Sequence, residues 1–215
     1  VETLPFNACD YRCERCLETE RCAVFRMGKE RDDRNFALGR ETEGMEAALR
    51  DISEIFEETK ELLLEKAEEF GVDVDNLPDA EPRDIFEEAR KDPLYLRSYD
   101  FTMKAHAFLK KIEPVITPAG QEFFDDIEWH HTVVSAKVFR AIGNDDPEIH
   151  FDAVNSAAVA VKSLTICIMA FDELASLYPE ISGKCKGFSK IASEIKQAVR
   201  ERFNPASGGS PDSSA

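Results

Sequence analysis

The stretch "TPAGQEFFDDIEWHHTVVSAKVFRAIGN", residues 117–144, decides the fold. Thr117 can close a helix start, and Pro118 follows at the first helical position, where a missing N–H is no loss. Phe124, Ile127, His131, Val134 and Val138 then recur three or four apart, and the run stops around Gly143. This is the period of a helix with one buried face.

The same grammar recurs outward from this helix. Upstream, "DPLYLRSYDFTMKAHAFLKKIEP" opens on Asp92 and Pro93 and ends before Pro114. Downstream, "DDPEIHFDAVNSAAVAVKSLTICIMAFDELASLYP" is capped near Asp146 and stopped at Pro179, and a last helix runs from about Gly183 to Phe203. Nearer the N-terminus, Leu49, Ile52, Phe56, Thr59, Leu63 and Phe70 mark the core-facing side of a long amphipathic helix that closes at Gly71. "VDVDNLPDAEPRD" reads as loop, "DIFEEARKD" as a short helix, and "GKERDDRNFALGRETEG" as a connector without a clear period.

No segment alternates as a strand does. The sequence therefore predicts an all-α protein, an antiparallel bundle of four or five main helices plus a short flanking helix, with a small N-terminal four-cysteine metal-binding head. Residues 1–40 form the head and connector, 41–203 the acidic bundle, and 204–215 a Gly/Ser/Pro-rich tail expected to be disordered.

Charge narrows the function classes. The chain carries −16, and residues 1–40 balance their own charges, so the whole excess lies on the helical body. Such a body repels phosphates, which argues against nucleic-acid binding. The most apolar stretch, "AAVAVKSLTICIMAF", is interrupted by Lys162 and reads as a buried helix, not a membrane span. No basic segment leads into an apolar run at the start, so the expected compartment is the cytoplasm.

Four of the six cysteines, Cys9, Cys13, Cys16 and Cys22, crowd into "CDYRCERCLETERC" with the spacing C-x3-C-x2-C-x5-C. In a compartment that keeps thiols reduced, such a cluster points to metal more than to disulfides. Two cysteines with two residues between them, as in a C-x2-C turn, can aim both sulfurs at one centre while backbone N–H groups stabilise the thiolates. Four thiolates suit either a [4Fe-4S] cluster or a structural zinc ion. Many zinc sites use two C-x2-C knuckles set well apart, whereas these ligands are consecutive, which favours the cluster. Phe6, Tyr11 and Phe25 are candidates to keep water from it.

"RCERCLETERCAVF" resembles the end of the iron-sulfur loop of the endonuclease III and adenine-glycosylase family of DNA-repair proteins. Cys13, Cys16 and Cys22 match its C-x2-C-x5-C ligands, while Cys9 departs, with three intervening residues where the family has six. The resemblance covers about fourteen residues and implies the cluster; the acidic body lacks that family's basic DNA-binding surface. "CDYRCERC" also resembles the C-x3-C-x2-C signature of radical S-adenosylmethionine enzymes. That family needs an α/β barrel after the motif, and this chain continues in helices.

A second candidate site lies in the bundle. His106 shares a helical stripe with Tyr99, Thr102, Met103 and Leu109, and His131 shares that of residue 117–144's apolar face, so both are expected in the core. If the two helices fold back on each other, Glu128 and His131 stand at the height of His106, with Asp172 facing inward beside Thr165 and Ile168. A lone E-x-x-H falls short of the paired motifs of di-iron bundles. The three residues are thus one metal or ligand site or a satisfied polar network in the core. His130 is expected at the boundary, His150 as a local cap, and Cys167 and Cys185 as small buried hydrophobes.

Three readings of function follow. The first is a metal-binding, iron-sulfur protein with a redox-sensing, electron-transfer or assembly role, acting on a protein partner or small ligand. The second is a metal-dependent enzyme using His106, Glu128 and His131. The third is a zinc-stapled protein-protein interaction bundle. Self-association is compatible with all three.

Overall fold

The computed structural model describes residues 9–74, 85–145 and 150–203. Among these residues there are seven α-helices, two short 3-10 turns and no strand. The helices are α1 (Ala23–Ala37), α2 (Met45–Glu69), α3 (Ile85–Lys91), α4 (Pro93–Ile112), α5 (Pro118–Gly143), α6 (His150–Leu177) and α7 (Ser182–Phe203). The all-α expectation holds. The expected disordered tail, Phe6 and the cap near Asp146 lie outside the described residues.

The chain divides into two compact units, one of residues 1–15 with 84–215 and the other of residues 16–83. In the first, α4 packs on α5, α5 on α6, α6 on α7 and α7 back on α4, which closes a four-helix ring. Short connections between successive helices make neighbours antiparallel. The short α3 leans on α5 and α4.

Sequence explains these boundaries. The Asp92 carboxylate accepts from Leu94 N–H at 2.8 Å and Pro93 takes the first helical position of α4. Thr117 and Pro118 start α5, although Thr117 caps with no side-chain bond of its own; its N–H and hydroxyl instead meet the Tyr178 hydroxyl at 3.0 and 2.9 Å.

The core is an interdigitated set of small and large side chains. On α6, Ala153, Ala157 and Ala160 are fully buried and let α5 approach closely, while Leu164, Phe171 and Leu174 fill the wider space below. Phe101, Phe108, Phe171 and Phe188 form an aromatic knot with ring centroids 5.1 to 6.5 Å apart. Cys167 and Cys185 are buried as expected, and burial pushes both thiols up, Cys185 to about 11. By length and composition α6 would suffice to cross a membrane; half of its most apolar window is buried in the bundle.

The second unit departs from expectation in two ways. Part of the segment read as a connector belongs to α1, a helix whose polar face pairs with α2. Arg31 and Arg34 donate to the Glu58 carboxylate at 2.6 and 3.0 Å, Arg40 donates to Glu54 at 2.8 Å, and the buried Asn35 donates to Asp51 at 3.2 Å. The bonds from Arg31 and Arg34 hold the Glu58 carboxyl below its ordinary range. Apolar periodicity could not reveal a helix held by ion pairs.

The stripe of α2 expected to face a core does not: Leu49, Ile52, Phe56, Leu63 and Phe70 are exposed, and of α2 only Ala47 is buried. The stop is as read, with Gly71 at φ +68° and its N–H, like that of Val72, bonded back to the last turn.

One contact in the bundle gives a direct test. A Cβ added at Gly120 would stand 2.7 Å from Cε2 of Tyr178 and nearer still to its hydroxyl, which Thr117 holds in place. Gly120→Ala should cost about 1–3 kcal/mol by overpacking, read as a lower urea midpoint at unchanged slope. An unchanged midpoint would show that the ring yields freely.

Candidate functional site

In the first unit, residues 9–15 form a strap on the outer side of α5 and α6. Its anchor is Arg12, only 9% exposed, whose guanidinium donates to Asp126 of α5 and, at 3.0 Å, to Glu14. Arg15 reaches the same Asp126 oxygen at 2.9 Å. Asp10 makes the second attachment: its carbonyl accepts from the Trp129 indole at 2.9 Å and its carboxylate from Lys162 of α6 at 2.6 Å. Burial acts to raise the Asp10 pKa, but the Lys162 bond and charge outweigh it and hold the carboxyl below its usual 3.8.

Tyr11, between these anchors, has φ +61°. An aromatic side chain in the left-handed region costs about 1–3 kcal/mol and persists only where its surroundings impose it. Here the Lys137 ammonium lies 4.8 Å from the Tyr11 ring centroid. Lys137 is buried, so desolvation lowers its pKa, with Arg140 adding to the effect, while Cys9 is near enough to oppose it. Cys9 Sγ in turn accepts the Tyr11 N–H at 3.1 Å.

In the second unit, residues 16–22 lead into α1. Cys16 Sγ accepts the Glu18 N–H at 3.4 Å. Cys22 is the N-cap of α1, and its sulfur accepts the Phe25 N–H at 3.5 Å. The sulfurs of Cys9, Cys16 and Cys22 therefore receive the kind of backbone N–H bond that steadies a metal-bound thiolate. No disulfide joins the cysteines, and among the described residues no three His, Cys, Asp or Glu side chains gather as a group that could hold a metal ion. The boundary between the two units falls between Cys13 and Cys16.

The bundle histidines are arranged differently from expectation. His131 is buried, and its Nδ1 donates to the Ile127 carbonyl at 2.8 Å, while its Nε2 has no hydrogen-bond partner among the described residues. Its ring stacks on that of His106 at 5.7 Å, but His106 is exposed, as is Glu128. The true core face of α4 runs through Phe101, Ala105, Leu109 and Ile112, displaced around the helix from the stripe of Tyr99, Met103 and His106, both of whose apolar members are about half exposed. The two stripes share Leu109 and Thr102, so α4's apolar residues alone did not choose between them. Asp172 is exposed, not inward.

His130 also departs from expectation, being 2% exposed and bonded through Nδ1 to Ser163 at 3.2 Å. α5 is flanked by α4, α6 and the strap, so it buries more than one stripe. His150 pairs with Asp145 at 3.5 Å across the start of α6. The strap's partners Asp126, Trp129, Lys137 and Lys162 carried no sequence signal, because a polar residue that serves a loop distant in sequence looks like any exposed one.

Two tests follow from this geometry. Burial lowers the pKa of both His130 and His131. The unfolded chain, with ordinary values near 6.5, therefore binds more protons, and stability falls as pH drops below about 6.5. The melting temperature should be lower at pH 5.5 than at 7.5, with a shallower dependence in His130→Gln; a flat profile would contradict neutral burial. Separately, Asp126→Ala removes the carboxylate from a buried guanidinium. It should red-shift the emission of Trp129, the one tryptophan, and speed amide exchange over residues 10–15, whereas unchanged exchange would show the strap is held otherwise.

No protein-family model matches this chain, and neither a curated protein nor a solved structure matches it.

Proposed function

We propose that Cys9, Cys13, Cys16 and Cys22 together ligate one metal centre, a [4Fe-4S] cluster, and that the protein serves redox sensing, electron transfer or cluster assembly. The observation that carries the reading is the C-x3-C-x2-C-x5-C spacing combined with backbone N–H bonds to the sulfurs of Cys9, Cys16 and Cys22. Both are what a set of thiolates requires before any metal arrives.

The charge around Cys9 supports it. An all-cysteine cluster is anionic, and in a chain of −16 it needs local cations. Lys137 supplies one beside Cys9, its ammonium lying over the Tyr11 ring with the charges of Asp152 and Asp10 also acting on it. The bound group would supply one-electron chemistry. The chain's own contribution is to fix Cys9 through the strained Tyr11 and to anchor the strap through Arg12 and Asp10.

The test is anaerobic purification followed by metal and sulfide analysis. A brown protein containing iron and acid-labile sulfide in equal amounts, lost in Cys16→Ser with the bundle's helix content intact, is the expected result. A colourless protein with one zinc per chain would replace the cluster with the structural-zinc reading. A chain that binds neither, or a Cys16→Ser variant that loads normally, would overturn the site.

A further inference from the structure

The α2 stripe is an apolar face that its own unit leaves uncovered. Leu49, Phe56, Leu63 and Phe70 are 59, 70, 65 and 76% exposed, and Met45, Ile52, Ile55 and Leu62 are exposed beside them. Their spacing is a strict heptad, with Leu49, Phe56, Leu63 and Phe70 at a and Met45, Ile52, Thr59 and Lys66 at d. The positions bonded to α1 or the turn after it, Asp51, Glu54 and Glu58, fall at c and f on the opposite side of the helix at 100° per residue, as does the buried Ala47. Within its unit, α1 therefore leaves the stripe bare. A contiguous apolar face of this size marks an interaction surface.

We propose that this face is an interface between two copies of the chain, their α2 helices packed antiparallel about a two-fold axis midway between Phe56 and Thr59. In that register Phe56 meets Thr59 of the partner subunit, Ile52 meets Leu63 of the partner subunit, and Met45 meets Phe70 of the partner subunit. Along one flank Ile55 lies against Leu62 of the partner subunit, and along the other Ser53 lies against Lys60 of the partner subunit. The face is thus complementary to itself, as a two-fold interface requires.

Charge decides between a second copy and a different partner. The chain is strongly acidic, yet the e and g positions bordering the stripe hold only Glu46, Lys60 and Glu69 as charged residues. A basic helix would find no carboxylate row to pair with beside the stripe. The other carboxylates of α2 point away, and Asp51, Glu54 and Glu58 already bond to residues of its own unit. Two like-charged chains can therefore meet here without a close repulsive pair. Size fits as well: 25 residues span about 37 Å, and eight large apolar side chains offer on the order of the 800 Å² per partner that a stable complex uses.

Sedimentation equilibrium of the full chain tests this. The expected species is twice the 24.2 kDa monomer, held equally or more tightly as salt rises, because screening weakens only the general repulsion. Phe56→Asp with Leu63→Asp should weaken association at least about 100-fold, and Leu63→Ser alone, which adds no charge, about tenfold, with helix content preserved in the single variant. A photo-crosslinking residue at position 49 should join peptides containing Lys66 of the partner subunit. A monomer at all concentrations, a dimer that survives both sets of substitutions, or cross-links between the two copies of position 49 would overturn the proposal.

Discussion

A buried guanidinium has to be answered by a carboxylate, and Arg12 is answered by Asp126. That requirement fixes where the strap of residues 9–15 lies on the bundle, and much else follows from it. With Arg12 held, Asp10 stands where Trp129 and Lys162 can both reach it. Tyr11 is forced into the left-handed region over Lys137, and His130 is sealed beneath. The Cys9 sulfur is positioned by this chain of contacts, not by its own packing.

The bundle provides the surface on which this is possible. α5 carries residues for three neighbours at once, with Phe124, Ile127, Val134 and Val138 in the core, His130 toward α6, and Asp126 with Trp129 toward the strap. Its close contact with α6 rests on the alanines of α6, which bury without a rotamer cost. On the faces that serve these three neighbours α5 tolerates few substitutions, and Gly120 beneath Tyr178 is the tightest example.

What was legible in the sequence was what periodicity and caps encode. The starts of α4 and α5 were readable from Asp92-Pro93 and Thr117-Pro118, the end of α2 from Gly71, and the burial of His131, Cys167 and Cys185 from their apolar neighbours. The rest was hidden for physical reasons. α1 is held to α2 by arginines and an asparagine, which leave no hydrophobic period. His106 lies on one of two overlapping stripes of α4, and only the positions of α5 and α7 select the other. The strap's polar partners are set by contacts more than a hundred residues apart along the chain. The exposed heptad on α2 shows the converse limit: periodicity says that a face should be covered, and not by what.

The proposal that the four cysteines share one metal centre is tested most directly by X-ray absorption spectroscopy of the anaerobically purified chain at the iron and zinc edges. Its ligand shell is predicted to be sulfur alone, at about 2.3 Å, with an iron-iron scattering path that only a cluster gives. A first shell containing nitrogen or oxygen, or a protein with no bound metal at either edge, would contradict the assignment of Cys9, Cys13, Cys16 and Cys22 to one centre.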